Sequence, residues 1–238
     1  MQILAVSVVY YLAQSPWLAG AAYWTIYRPL VAGFVTGMIL GDPVLGLMLG
    51  AGINLIYLGF IAAGGAIPGD PAAAGYIAVA VALAHGLSRG QAFALSLVVG
   101  LAGAYLWHTR LKICNFIAER AACAAESGDM RTLALLNAGA QIPVFLLYFL
   151  SAALVLTLSE QVAGAITGLD RAVNGGISLF GSLLPYLGIS SVVVSRMHYA
   201  LPSALLAFLT HRYLGFPAVL ALIPFLLMLQ LRGVRRAR

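Results

Sequence analysis

Two aspartates, Asp42 and Asp70, each stand between a glycine and a proline, in Gly41–Pro43 and Gly69–Pro71. With Arg28 and Asn54 they lend charge and amide chemistry to residues 28–71, a stretch otherwise apolar and carrying ten glycines. A carboxylate accepts hydrogen bonds from hydroxyls, and an amide both donates and accepts. Such groups suit a polyhydroxylated ligand, and Tyr57 and Phe60, three and six residues after Asn54, offer it apolar ring faces. The same aspartates would equally serve an ion or proton pathway, and residue types alone do not separate the two.

The surroundings make these groups conspicuous. Of 238 residues, 62% are hydrophobic and 8% are charged, where a soluble domain averages about 25% charged. A soluble domain of this size needs more polar surface than that, so the chain reads as an integral membrane protein. An ionisable side chain at membrane depth costs at least ~2.5–3.5 kcal/mol on insertion scales. A segment that only had to span the bilayer would not carry Arg28, Asp42 and Asp70.

Proline disfavours the helical conformation at the residue before it, so each aspartate is expected at a helix end or break. Irregular backbone at membrane depth is tolerated only where protein buries it or it lines a wet cavity. Together with AAGGAIPGDP at 62–71, this predicts re-entrant or discontinuous helices around a polar site, as transporters build them. The alternative for either aspartate is a plain cap at the membrane surface. Gly33, Gly37 and Gly41 recur at four-residue spacing, as do Gly46 and Gly50. That spacing serves close helix packing as readily as ligand binding.

The remaining segments frame this region. Residues 2–24 are long enough for a first span at the ~20 residues a bilayer needs, and no basic residue precedes Arg28 to make a signal peptide. Residues 74–86 are short for a span, 91–108 just long enough, and 133–157 form a long apolar run. Further spans are expected over 177–197, after Tyr199 and near 215–231. Residues 110–131 hold seven of the twenty Lys, Arg, Asp and Glu residues opposite an apolar stripe, predicting an amphipathic helix on the cytoplasmic surface. Arg232, Arg235, Arg236 and Arg238 form a basic tail, cytoplasmic by the positive-inside rule. The expected fold is thus a single all-α polytopic domain over 1–238, with six to eight membrane segments including re-entrant or broken helices.

Several chemistries are not encoded. Cys114 and Cys123 lack metal-ligand spacing, the four histidines form no cluster, and neither a P-loop nor a GxGxxG occurs. No metal, cofactor or catalytic residue is expected. The net charge of +6 gathers partly in the tail, with no basic run interleaved with aromatics, so nucleic acid is not an expected partner.

Arg-Pro-Leu-Val (28–31), ILGD (39–42) and GLMLGAGINLIYLGFIAAGGAIPGDP (46–71) together resemble the membrane subunit IIC of the mannose/fructose/sorbose phosphotransferase systems. GGISLFGSLLPYLGISSVVVSRM (175–197) resembles that family's later Gly-rich, Pro-kinked helix, and the likeness covers nearly the whole chain. It implies a multi-pass permease of the inner membrane that moves a hexose or amino sugar together with a IID subunit. A cytoplasmic IIB domain, charged through IIA, would phosphorylate the sugar as it emerges, and a higher oligomer is expected.

By match to the family motif, Asp70 with the Gly64, Gly65 and Gly69 loop is the first choice for sugar contact, then Asn54, then Asp42, with Arg28 at the edge of the region. Where the family usually has Glu or Gln, this chain has the shorter Asn54. The GDP at 69–71 also departs from the common Pro-Asp form. Rival readings are an ion- or proton-coupled secondary transporter using Asp42 and Asp70, and a structural subunit whose partner holds the activity. An intramembrane aspartyl protease would need glycine two residues before each Gly-Asp, where this chain has Ile39 and Ile67.

Overall fold

A computed structural model of the chain describes residues 1–16, 22, 25–59 and 68–196. Gly64, Gly65, the expected spans after Tyr199 and near 215–231, and the basic tail lie outside the described residues. The chain divides into two compact units, Met1–Tyr186 and Leu187–Arg238, and the elements that build the site belong to the first. All the regular structure described is helical.

Helix α1 runs from Gln2 to Gln14, shorter than the span expected over 2–24. Pro16 explains the stop: Ser15 before it is extended, with φ −82° and ψ 141°, as the proline ring requires. Helices α2 (Pro29–Leu40) and α3 (Pro43–Ile56) form a hairpin. Both begin with proline in the first turn, where its missing N–H is no loss. Gly41 ends α2 in the left-handed conformation at φ 95°, and Asp42 caps α3 by accepting from the Leu45 N–H at 2.9 Å. Each helix is only about 18–21 Å long at roughly 1.5 Å per residue, too short to cross ~30 Å of hydrocarbon.

The glycine spacing holds the hairpin shut. A Cβ on Gly33 would lie 2.5 Å from the Gly46 carbonyl oxygen, and one on Gly50 2.5 Å from that of Pro29. The two backbones therefore pack directly on one another, the arrangement that small residues four apart permit. Gly33, Gly37, Gly46 and Gly50 are packing residues.

Pro71–His85 forms α4, which contains a π-helical stretch at Ala74–Ala78. Such stretches in α-helices often mark functional sites. Helix α5 (Arg89–Glu126) opens with a capping box between Ser88 and Gln91 and runs 38 residues without a break, roughly 57 Å. The charged stretch expected as a separate surface helix is helical through Glu126, but it continues α5. Ser127 and Gly128 end it, as the sequence indicates.

Helices α6 (Met130–Gly139) and α7 (Gln141–Thr157) follow as one apolar stretch of 28 residues. Helices α8 (Ser159–Ala172) and α9 (Gly176–Arg196) meet at a bend of 103°. Asn174 and Gly175 make that bend with positive φ, 52° and 82°. Asp170 fastens it: its carboxylate accepts from Gln91 Nε2 at 2.8 Å, Ser178 Oγ at 2.6 Å and the Ser178 N–H at 2.8 Å. Among the described residues, α5 and the α6–α7 stretch are long and apolar enough to cross a membrane alone, while α1 to α4 are shorter apolar helices. Full spans and half-spans together make the polytopic, broken-helix architecture that the sequence predicts.

Candidate functional site

Asp70 lies at the start of α4 and is 1% exposed. Pro71 keeps it out of the helix, so its side chain caps the new one. Oδ1 accepts from the Ala72 and Ala73 N–H groups at 2.9 and 3.2 Å. Oδ2 accepts from Tyr10 Oη at 2.8 Å and Gln14 Nε2 at 2.7 Å, both on α1. Four donors answer the carboxylate, which as an ion is an acceptor only. The helix N-terminus adds its dipole in the same sense.

Helix α5 backs this group with bare backbone. The Asp70 N–H donates to the Gly100 carbonyl at 2.8 Å. A Cβ on Gly103 would come 2.5 Å from that of Asp70, and a Cβ on Gly100 would collide with Tyr57 Oη. Tyr57, at the end of the hairpin, donates to the Ser96 carbonyl at 2.9 Å and lies against Gly69.

Aromatic rings enclose the carboxylate. Tyr10, Tyr76 and Tyr148 are all fully buried. The ring of Tyr10 is 6.2 Å from that of Tyr76, and 5.6 Å and edge-on from that of Tyr148. Tyr76 donates to the Ile26 carbonyl at 3.0 Å. Arg110 closes the α1 end by donating to the Gln14 carbonyl at 3.0 Å, with its guanidinium 5.0 Å from the Trp107 ring centroid and 6.0 Å from that of Tyr148. A carboxylate, an amide and several aromatic rings can take a ligand that mixes hydroxyls with apolar ring faces. Among the described residues, no three His, Cys, Asp or Glu side chains meet in a way that would hold a metal ion.

The other residues singled out from the sequence lie at different places. Gly69 is beside Asp70, packed on Tyr57. Asn54 is one turn before Tyr57 on α3, half-buried and without a hydrogen-bond partner among the described residues. Asp42 is exposed at the hairpin tip, engaged as a cap. Arg28 is exposed at the start of α2. The structure thus places Gly69 with Asp70, and neither Asp42 nor Arg28 takes part in the hydrogen bonds around its carboxylate. The partners that sequence reasoning missed are Tyr10, Gln14, Tyr148, Gly100 and Gly103. Tyr10 and Gln14 are four apart on one helix face, and an amide inside an apolar run was the available signal.

The family described as PTS system sorbose-specific IIC component matches residues 1–229. The sorbose-specific EIIC component of Klebsiella pneumoniae is 31% identical over 194 residues, covering 80% of this chain and 73% of that protein. The mannose-specific EIIC component of Escherichia coli K12 is 26% identical, covering 81% and 74%. The fructose permease IIC component of Bacillus subtilis is 25% identical, covering 81% and 72%. The fold is similar to that of a chain in the mannose transporter ManYZ complex with microcin E492, with TM-score 0.60, 22% identity and coverage of 98% of this chain and 94% of that one.

Proposed function

The chain belongs to the PTS sorbose-specific IIC family, a family of multi-pass inner-membrane sugar permeases, and we propose from that premise that it carries a hexose or an amino sugar through the site around Asp70. The observation that supports the reading is the buried carboxylate at a helix start, flanked by an amide and three tyrosine rings. In this conformation, a sugar hydroxyl reaches Asp70 only by replacing a donor. The Ala72 and Ala73 amides are fixed by the cap, whereas Tyr10 and Gln14 belong to α1 and can withdraw with it. Movement of α1 against α4 is therefore the gating step.

The chain is a transport subunit and works with a IID membrane subunit. A separate IIB protein, charged through IIA, supplies the phosphoryl group on the cytoplasmic side. Phosphorylation traps the sugar, because a phosphate dianion does not recross hydrocarbon. Asn54, one turn from Tyr57, contributes a further polar contact together with the Gly64, Gly65 and Gly69 loop. The assembly is a higher oligomer.

A relay of ions or protons through both aspartates draws no support from this arrangement, since Asp42 is exposed and occupied as a cap. The test is phosphoenolpyruvate-dependent phosphorylation of a panel of hexoses and amino sugars by vesicles holding this chain with its IID and IIB partners. Phosphorylation of one or a few sugars, indifferent to a collapsed proton gradient, is the expected result. Uptake driven by the gradient and independent of phosphoenolpyruvate would overturn the reading.

A further inference from the structure

We propose that Arg110 is a positioning residue for the sugar site. It holds α1 over Asp70 through the Gln14 carbonyl, and so sets how readily a sugar takes the place of Tyr10 and Gln14. The inference rests on the sugar-carrying reading above and adds a residue to it. Gln14 is held at both ends: its Nε2 donates to Asp70 Oδ2 at 2.7 Å, and its carbonyl accepts from Arg110 Nη1 at 3.0 Å. Gln14 is the last residue of α1, and the last carbonyls of a helix have no partner within it. A cation there also meets the negative end of the helix dipole. Helix α1 has no basic residue in its own last turn, so the charge comes from α5.

One face of α5 serves both Asp70 and Gln14. Ser96, Gly100, Gly103, Trp107 and Arg110 recur at alternating spacings of four and three, which keeps them along one side of a helix. The Ser96 and Gly100 carbonyls take the Tyr57 hydroxyl and the Asp70 N–H, and Gly103 leaves room for the carboxylate. Further along, the Arg110 guanidinium lies 5.0 Å from the Trp107 ring centroid and 6.0 Å from that of Tyr148, whose side chain it also engages. Aromatic faces at such distances attract a cation and steady its aim. Arg110 is not among the four donors on Asp70, so its influence on the carboxylate passes through Gln14. Because those four donors occupy Asp70, a sugar must displace the two from α1, and each contact tying α1 to α5 opposes that step. Arg110 supplies a charged one.

The test measures equilibrium binding of the sugar identified by the panel above to vesicles holding the chain with its IID subunit. The native chain is compared with Arg110→Met, which keeps an apolar stem and loses the donor, and with Arg110→Lys, which keeps a donor for the carbonyl. Arg110→Met should bind the sugar about tenfold more tightly, because less of the affinity is spent on freeing Asp70, even though the variant melts lower. Arg110→Lys should stay within about threefold of the native affinity, since a cationic donor still reaches for the carbonyl. A residue that merely supported the fold would instead weaken binding as the melting temperature falls. An affinity unchanged or weakened in Arg110→Met would overturn the assignment while leaving the sugar reading intact. Failure of both variants to assemble with IID would also overturn it, by making Arg110 a folding residue. Absence of sugar binding by the native complex would remove both readings.

Discussion

The Cβ of Asp70 rests on the backbone of Gly103, so closely that a methyl added to Gly103 would lie 2.5 Å from that Cβ and 3.1 Å from Oδ2. The carboxylate thus owes its position to the absence of a side chain on another helix. Gly103→Ala should push Asp70 away from Tyr10 and Gln14 and destabilise the chain by about 1–3 kcal/mol, the usual range for overpacking. Sugar phosphorylation should fall with it. Melting in detergent and vesicle assays at matched protein level would check both.

Gly164 offers the opposite expectation. It lies inside α8, and nothing within 4 Å would meet a Cβ there. Gly164→Ala should therefore stabilise by about 0.5–1 kcal/mol through helix propensity, with transport unchanged. Comparing its melting temperature with that of Gly103→Ala separates packing from propensity.

Asp42→Ala should remove the cap from α3 and cost about 0.5–2 kcal/mol of helix stability. The KM for sugar should stay as it was, because Asp42 is outside the Asp70 network. A KM that rises severalfold while the fold stays intact would bring Asp42 back into the site.

Asn54→Gln restores the reach of the longer side chain the family usually carries. Asn54 has no partner among the described residues, so the exchange should leave stability within about 0.5 kcal/mol, as for substitutions that break no specific contact. The ranking of sugars by kcat/KM should change. An identical ranking across the panel would exclude Asn54 from the site.

Asp129 caps α6 on the connection between α5 and α6. The Thr132 hydroxyl and N–H hold its carboxyl below the ordinary value of 3.8. A group depressed in the folded state stabilises above its unfolded value, and that contribution disappears as pH falls through the folded one. Exchange of the Thr132 amide, corrected for intrinsic rate, should accelerate as pH falls below about 4. Asp129→Asn should remove that pH dependence.

Much of this architecture can be read from local spacing, because local spacing is what produces it. Gly33, Gly37, Gly46 and Gly50 imply two backbones in contact, and Gly41-Asp42-Pro43 encodes stop, cap and start in consecutive residues. Gly-Asp-Pro at 69–71 repeats the cap and the start. The length of α1 was legible too, in Pro16, but the apolar run past it outweighed that signal. No glycine or proline stands between Gly103 and Gly128, so nothing local divides the apolar part of α5 from its charged part, and the helix runs through. The partners of Asp70 are a different matter. Tyr10, Gln14, Gly100, Gly103 and Tyr148 come from three other helices, and only the packing of those helices brings them to one carboxylate.

The measurement that bears most directly on the account is phosphoenolpyruvate-dependent sugar phosphorylation by vesicles containing the native chain or Asp70→Asn with the IID and IIB partners. The amide keeps an acceptor for the α4 cap but turns a donor toward Tyr10 and Gln14. Membrane level and melting temperature are compared alongside, and Asp70→Glu controls for charge without the original reach. The account predicts that phosphorylation of the preferred sugar disappears in Asp70→Asn while the chain still folds and assembles with IID. Full activity in Asp70→Asn would contradict it and move the sugar site elsewhere in the chain.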